Sequence, residues 1–270
     1  MTTEGISDHR QRYDEIDVSE WTPYGEEFLG TKPKQWLIHP DTEDRWLMKD
    51  ATFSSPYGGP EYRKGDDWAE RIAYGVAGVL RLPAAPVELS VAFRGEERVY
   101  GTICRSVLRN RGEHLVHGNA LLDEQGDHVT VHDRSPYTVR AIRRALGDCQ
   151  PPTDASDDLS AWDTFVGYLA LDALIGNTDR HEENWAVIES EFGRRLAPTF
   201  DHASSLGFLL SDCAREERLS TRDGNRTPEG FADRAKTRSF ASRIRLMLLP
   251  QLGCLTVGVL RSIGSTSLMG

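Results

Sequence analysis

The segment ALIGNTDRHEENW, which runs from Ala173 to Trp185, decides how the rest of the chain is interpreted. An apolar stretch ends abruptly there, and a run of residues follows that can carry charge, bind a metal or donate hydrogen bonds. Taken alone, this run has three interpretations: a helix end that meets solvent, a metal site, or the chemical centre of an enzyme. Because short motifs match by accident, the residues around the segment have to distinguish between these interpretations.

The flanking sequence places the segment between a helix and a hairpin. LSAWDTFVGYLALDALIG has apolar residues at helical spacing, and Ser160 with Asp163 resembles a capping box. WAVIE then predicts a strand, SEFGR a turn, and RLAPTF a returning strand that ends at Asp201. Paired residues of antiparallel strands lie roughly 5 Å apart, so we expect Asn184 and Asp201 to lie side by side at the ends of this hairpin. Their side-chain oxygens could share Mg²⁺, with Asp179 beside the cation.

The first hundred residues predict a mostly antiparallel sheet with one helix. KQWLIHP and DRWLMKD form one hairpin, and VELSVAF and RVYGTIC form another. Between them DDWAERIAYGVAGVLRLP predicts a helix that Asp66 or Asp67 could cap. The second strand carries Lys49, and the flank of the helix carries Glu70. The apolar face of this helix is predicted to consist of Ile72, Val76, Val79 and Leu80.

On this pattern the chain divides into an arm and two lobes. Residues 1–20 are predicted to be a poorly ordered arm whose end Trp21 could anchor, and residues 21–104 a small β-rich N-lobe. Residues 105–270 are predicted to be a larger, mainly helical C-lobe, in which YTVRAIRRALG and FADRAKTRSFASRIRLMLLPQLG have helical periodicity. The predicted fold class is therefore α+β.

Composition excludes several classes of protein. The formal charge of −10 argues against a general nucleic-acid binder, which needs a basic surface. No apolar run is long enough to span a bilayer, and the polar, acidic start is neither a signal nor a transit peptide. The four cysteines are far apart and form no CxxC pair, which is typical of a reduced protein. We therefore expect a cytoplasmic location, with no direct nucleic-acid partner and no membrane.

The charged residues of both halves together match the requirements of phosphoryl transfer. An aspartate that orients the acceptor hydroxyl, beside a metal held by an asparagine and a second aspartate, is half of such a site. The other half is a strand lysine that contacts the ATP phosphates and a helical glutamate that holds it, and Lys49 and Glu70 have the required types and order. A loop covering the phosphates should precede the lysine strand, where FLGTKPKQW lies. The residues of this loop predicted to contact ATP are Gly30, Thr31, Lys32 and Lys34.

Two of these segments resemble a known family. GNTDRHEENW and LAPTFDHASSLGF look like the C-terminal signature of the HipA-like kinases, the bacterial serine/threonine kinases related to persistence toxins. The DRHxxN core is also similar to the catalytic loop of phosphatidylinositol 3- and 4-kinases. The match is dense from Trp162 to Phe208 and thinner elsewhere.

The resemblance implies a two-lobed protein-kinase-like fold that uses ATP and Mg²⁺ to phosphorylate a serine or threonine hydroxyl of a protein. It implies that Asp179 is the catalytic aspartate, that Asn184 and Asp201 are Mg²⁺ ligands, and that Lys49 is the ATP lysine with Glu70 as its partner. The segment joining the lobes would contact adenine. Its predicted contacts are Ile103, Cys104 and Arg105.

The chain departs from the long persistence toxins in two ways. It has no counterpart of their extra N-terminal subdomain, and the loop before Gly30 has no serine where those toxins carry a self-phosphorylated one, so Thr31 is the nearest hydroxyl. Toxin action and an antitoxin partner are therefore unsupported by these residues.

Alternatives remain open for the role of His181 and for the identity of the phosphate acceptor. RHEENW is not HExxH, so His181 is predicted to support the catalytic loop by hydrogen bonding rather than to bind zinc. Because lipid kinases carry DRHxxN, the acceptor could instead be a small molecule or a lipid headgroup. A third hypothesis is a catalytically dead nucleotide-binding regulator, which the weak glycine loop and the short N-lobe would suit.

Overall fold

The structure is a computed structural model, and it describes residues 13–26, 34–55, 61–130 and 132–227. The predicted ATP contacts Gly30, Thr31 and Lys32 lie outside the described residues. So does the helical pattern FADRAKTRSFASRIRLMLLPQLG. None of the described helices has the length and apolar character needed to cross a membrane.

A six-stranded sheet dominates the N-terminal part, in the order β1-β7-β8-β4-β3-β2. Its strands are β1 (Ile16–Asp17), β2 (Thr22–Glu26), β3 (Lys34–Ile38), β4 (Arg45–Asp50), β7 (Val87–Arg94) and β8 (Glu97–Arg105). A separate pair consists of β5 (Phe53–Ser54) and β6 (Tyr62–Arg63). Both predicted hairpins, β3–β4 and β7–β8, are confirmed with antiparallel pairing.

The two faces of this sheet have different roles. Met48 pairs with Ile103, and both side chains are buried in a core that also contains Val18 and Trp21. Lys49 pairs with Thr102, so these two side chains lie on the opposite face. Gly101 is required beside them, because a Cβ there would lie 2.2 Å from the backbone oxygen of Lys49. The sheet therefore fixes the position of Lys49, and the side chain of Lys49 lies on the face of the sheet opposite the core.

The prediction that residues 1–20 form a poorly ordered arm includes too many residues. Residues 16 and 17 form β1, which pairs in parallel with β7, and the side chain of Val18 is buried. Trp21 is also buried, as predicted for the anchor of the arm. Burial of these two apolar side chains stabilises the ordered part of residues 13–20.

Helix α1 (Asp66–Val79) exists as predicted, but its cap and its buried face differ. Gly65 is the N-cap, since Asp66 accepts hydrogen bonds from Thr52 and Asp67 pairs with Arg63. The predicted apolar face is wrong at Val79, which is 73% exposed, whereas Val76 and Leu80 are partly buried against a core cluster as predicted. The residues that face the protein also include Ala69, Glu70, Ala73 and Ala77. These small side chains let α1 approach its neighbours closely, and this brings Glu70 into the interior.

The C-terminal part combines a three-stranded sheet, in the order β11-β10-β9, with helices. Its elements are β9 (His114–His117), α2 (Gly118–Glu124), α3 (Val139–Ala145), α4 (Ala161–Ile175), β10 (Ala186–Ser190), β11 (Gly193–Leu196) and α5 (Asp212–Ser220). Since β8 belongs to the first sheet and β9 to the second, the strands regroup between residues 105 and 114. The α+β class is confirmed; the lobe boundary at residue 105 stays a prediction.

Helix α4 fixes where the polar segment begins. The predicted capping box is present, with Ser160 accepting from the backbone N–H of Asp163 and the carboxylate of Asp163 accepting from the backbone N–H of Ser160. Phe165 and Tyr168 are buried against Trp185 in the main C-terminal core. Gly176 ends the helix in the left-handed conformation with φ 65°, which glycine adopts at low cost. The chain then turns sharply into the loop that carries Asp179.

Candidate active site

The loop between α4 and β10 is held at its start by two adjacent residues. Asn177 donates from its side chain to Asp172 (2.8 Å) and accepts from the backbone N–H of Asp179 (3.1 Å). Thr178 donates through its backbone N–H and its hydroxyl to the carbonyl of Ser204 (3.2 and 3.3 Å). The loop is therefore attached to α4 and to the segment after Asp201.

Arg180 is the buried centre of this region. Its Nε and Nη2 donate to the two carboxylate oxygens of Asp172, at 2.7 and 2.8 Å. Nη2 also donates to Thr199 Oγ1 (3.0 Å), and Nη1 donates to the carbonyls of Asn184 and Phe200. A guanidinium has five N–H donors, so these five bonds use the full set. Arg180 is therefore paired with the carboxylate of Asp172.

Asn184 and Asp201 are brought together in a different way from the one predicted. The β10–β11 ladder does not reach them: its last bond runs from the N–H of Ala197 to the carbonyl of Ala186, and Pro198 follows, which has no N–H. Thr199 instead pairs with Ala84. The Arg180 guanidinium spans the gap by binding the carbonyls of Asn184 and Phe200, so it, rather than strand pairing, sets the separation of Asn184 and Asp201.

Lys49, on β4 of the first sheet, contacts Asp201, in the segment after β11. Its Nζ lies 3.3 Å from Asp201 Oδ1, and its side chain is 14% exposed. Burial disfavours the ammonium, but the negative charges of Asp201 and Glu70 outweigh it and raise the pKa of Lys49. Asp201 has a φ of 61°, an uncommon conformation for a residue other than glycine. Such strain is concentrated at functional sites.

Glu70 lies nearby but makes no direct ion pair with Lys49 in this structure. Burial disfavours its charge, whereas His202 and Lys49 favour it, and the pKa of Glu70 is lowered. Its Oε1 lies 3.7 Å from His202 Nδ1. Among the described residues neither carboxylate oxygen of Glu70 has a hydrogen-bond partner. His202 was not predicted as a site residue, and its only sequence signal is its position directly after Asp201.

Asp179 is half-buried beside this cluster. Burial and the negative charge of Asp201 raise the pKa of Asp179, although His181, Arg134 and Arg180 oppose the shift. His181 accepts from the backbone N–H of Glu183 (3.1 Å), which agrees with its predicted role inside the loop. A carboxylate with a raised pKa in a cleft is a candidate for proton transfer.

The predicted hinge residues lie on different faces of β8. The side chain of Ile103 is buried in the sheet core, away from Lys49, whereas Cys104 lies on the Lys49 face. Burial raises the pKa of Cys104 to about 12, so its thiol stays protonated. Arg105 pairs with Asp44 at 2.9 Å. Lys34 lies opposite Lys49 in the β3–β4 register, which places both lysines on one face.

The side chains of Asn184 and Asp201 suit a hard cation. The Asn184 Nδ2 donates to the backbone oxygen of Asp179 (2.6 Å), and this orients the amide so that Oδ1 is available as a ligand. Asp201 adds a carboxylate. Two oxygen ligands from the protein, with the rest from water and phosphate, fit Mg²⁺.

Comparison with known proteins supports the predicted fold. No family model matches the chain, and neither does any curated protein sequence. Among solved structures, the proinflammatory kinase CtkA of Helicobacter pylori is similar, with a TM-score of 0.58 and 18% identity over 77% of this chain and 67% of that one. HipA of Shewanella oneidensis MR-1, in complex with HipB and operator DNA, matches with a TM-score of 0.44 and 18% identity, over 68% of this chain and 45% of that one. The fold is therefore kinase-like, as the sequence resemblance implied.

Proposed function

We propose that the chain is an ATP- and Mg²⁺-dependent kinase that transfers the γ-phosphate to a serine or threonine hydroxyl of a protein. The observation that carries the proposal is the contact of Lys49, on the sheet, with Asp201, in the segment that Arg180 ties to Asn184. These contacts join three segments far apart in sequence, and they support a shared site for Lys49, Asn184 and Asp201.

ATP would lie between the two sheets. Lys49 has the position and the positive charge to bind phosphate oxygens, and Lys34 lies on the same face. Asn184 and Asp201 would hold Mg²⁺, which neutralises charge on the phosphates when bound. Lys49 must then exchange its contact with Asp201 for one with phosphate. The Glu70 carboxylate, close enough to affect its pKa, would keep the ammonium in place during that exchange.

Asp179 would orient the acceptor hydroxyl and accept its proton. Its raised pKa makes it a better proton acceptor than an ordinary surface aspartate. Arg180 does not contact the acceptor in this scheme. It fixes the loop through Asp172, so that the carboxylate of Asp179 keeps its orientation.

The experiment is transfer of labelled phosphate from ATP by the purified chain, either to itself or to proteins of a bacterial lysate. We expect labelled protein bands with the wild type and none with Asp179→Ala or Asp201→Ala. Labelled metabolites or lipids without protein bands would assign a small-molecule or lipid acceptor instead. ATP binding without turnover would support a nucleotide-binding regulator.

The acceptor itself can be identified in cells. Phosphosites should be compared by mass spectrometry between cells that express the wild type and cells that express Asp179→Ala. Serine or threonine sites present only with the wild type would support the proposal, whereas identical sets of sites would contradict protein-kinase activity.

A further inference from the structure

A chain of buried polar groups runs from the catalytic loop to α1. Arg180 Nη2 donates to Thr199 Oγ1 at 3.0 Å, and Thr199 Oγ1 lies 2.9 Å from His202 Nε2. On the other side of the ring, His202 Nδ1 lies 3.7 Å from Glu70 Oε1. None of these four residues is more than 3% exposed. The imidazole of His202 therefore lies between a hydroxyl fixed by the catalytic loop and the buried carboxylate of the helix.

The hydrogen bonds determine where the imidazole carries its proton. A guanidinium only donates, so Thr199 Oγ1 accepts from Arg180, and its hydroxyl hydrogen is left for His202 Nε2. If Nε2 accepts this hydrogen, the ring proton lies on Nδ1, which faces Glu70. The opposite tautomer would point a lone pair of Nδ1 at the carboxylate and leave the Thr199 hydroxyl hydrogen without an acceptor.

The buried carboxylate of Glu70 requires electrostatic stabilisation, and His202 is positioned to provide it. A buried carboxylate without hydrogen bonds is costly, and within the described residues neither of its oxygens has one. The positive charge of Lys49 is shared between Glu70 and Asp201, because its ammonium lies 3.3 Å from Asp201. His202 is the one other group whose attraction lowers the pKa of Glu70. At 3.7 Å from Oε1, a proton on Nδ1 would attract the carboxylate without a direct hydrogen bond while the lysine contacts Asp201.

We propose that His202 is a positioning residue that orients Glu70 toward Lys49 and couples it, through Thr199, to Arg180 beside the catalytic aspartate. This deepens the proposed kinase function and rests on it for its kinetic consequences. The residue touches neither ATP nor acceptor in this scheme. It transmits the position of the catalytic loop to the lysine that binds phosphate.

The kinetic test compares three substitutions of His202. Asn places an amide N–H near the position of Nδ1, Gln places its amide near Nε2, and Leu keeps volume without polarity. His202→Leu and His202→Gln should lower kcat about 10²-fold, the cost of a small misplacement of reacting groups, with the acceptor KM unchanged. His202→Asn should restore most of the lost rate. Equal rates for Asn and Gln, or full activity of a folded His202→Leu, would overturn the proposal.

Coupling to Glu70 is measured with a double-mutant cycle. If His202 acts through Glu70, His202→Leu should change kcat much less in a Glu70→Gln background than in the wild type, because effects of coupled residues are not additive. Fully additive effects would show that His202 acts by another route. Thermal unfolding of each variant separates loss of fold from loss of positioning.

A spectroscopic measurement keeps this inference separate from the kinase proposal. Nitrogen-15 NMR of the ring of His202 reports which nitrogen carries the proton, and it needs no activity. We expect a protonated Nδ1 and an unprotonated Nε2 in the wild type, and a changed tautomer balance in Thr199→Val. A protonated Nε2 with a bare Nδ1 would refute the relay even if phosphate transfer is observed. Absence of transfer with the expected tautomer would refute only the kinase proposal.

Discussion

Two buried clusters of charge lie within a few residues of each other, and they differ in how completely they are satisfied. Arg180 uses all five of its donors, and Asp172 receives two of them and a third bond from Asn177. In the cluster of Lys49, Glu70 and Asp201, the Lys49 ammonium lies 3.3 Å from Asp201, and the buried carboxylate of Glu70 has no hydrogen bond among the described residues.

The difference indicates different roles. A buried polar network with every group satisfied makes a region rigid, whereas an incompletely satisfied one is expected where a ligand completes it. We therefore interpret Asp172 and Arg180 as the scaffold, and the region of Lys49 and Glu70 as the part of the proposed site that a ligand would complete.

The largest effect on stability is expected at the scaffold. Arg180→Met leaves Asp172 buried without its partner, which typically costs 3–5 kcal/mol, so the free energy of unfolding in urea should fall by about 4 kcal/mol. Arg109→Met is the matched control, because its pair with Asp154 is more than half exposed on both sides. The control should change stability by less than about 1 kcal/mol. Equal effects of the two substitutions would contradict the comparison.

The next largest effect is expected on catalysis at the incomplete cluster. Lys49→Met removes the cation that would meet the phosphates and should lower kcat about 10²- to 10³-fold. Its effect on unfolding should be smaller than that of Arg180→Met, because Glu70 can take up a proton and the Asp201 side chain is 32% exposed. Steady-state kinetics and urea unfolding of the same sample test both expectations. Loss of stability equal to that of Arg180→Met would place Lys49 in the scaffold.

The smallest effect is expected on the free energy of unfolding at acid pH, and it concerns the carboxylate of Glu113. Its carboxylate accepts hydrogen bonds from the Arg195 guanidinium, from the backbone N–H and the side-chain amide of Asn110, and from the backbone N–H of Arg109. The residue is 9% exposed. Burial opposes its charge, but these donors lower the pKa of Glu113 to about 2. Because folding lowers this pKa, the stabilisation is complete above about pH 4.5 and is lost as the pH falls toward 2.

Glu113→Gln tests this contribution. The substitution should remove up to roughly 3 kcal/mol of stability at pH 7 and flatten the loss of stability between pH 4.5 and 2. Urea unfolding at several pH values measures it. An unchanged acid slope would show that Glu113 has the same pKa in the folded and unfolded chain.

What could be predicted from the sequence depends on whether a feature is determined by neighbouring residues or by contacts between distant segments. Local patterns were sufficient for the two hairpins of the first sheet and for the capping box of α4. These depend on alternation, turn residues and spacing, which neighbouring residues determine.

The remaining features depend on contacts between distant segments. The pairing of Arg180 with Asp172, and its further bonds to the carbonyls of Asn184 and Phe200, depend on how the loop folds back on α4, which spacing alone does not determine. The burial of α1 through Ala73 and Ala77 depends on how closely α4 packs, so the sequence did not predict that these alanines form the centre of the buried face or that Val79 is exposed. Pro198 ends the hairpin ladder early, although the alternation alone suggested that pairing continued to Asp201.

The most direct test uses Asp179, the neighbour of Arg180, and its substitution Asp179→Asn. Because burial raises the pKa of Asp179, its charge destabilises the folded chain at neutral pH, and the substitution should leave stability unchanged or slightly increased. Phosphate transfer should nevertheless fall by about 10²- to 10⁴-fold, the contribution of a positioned base. Transfer that persists in Asp179→Asn, or that falls only in proportion to the unfolded fraction, would contradict the account.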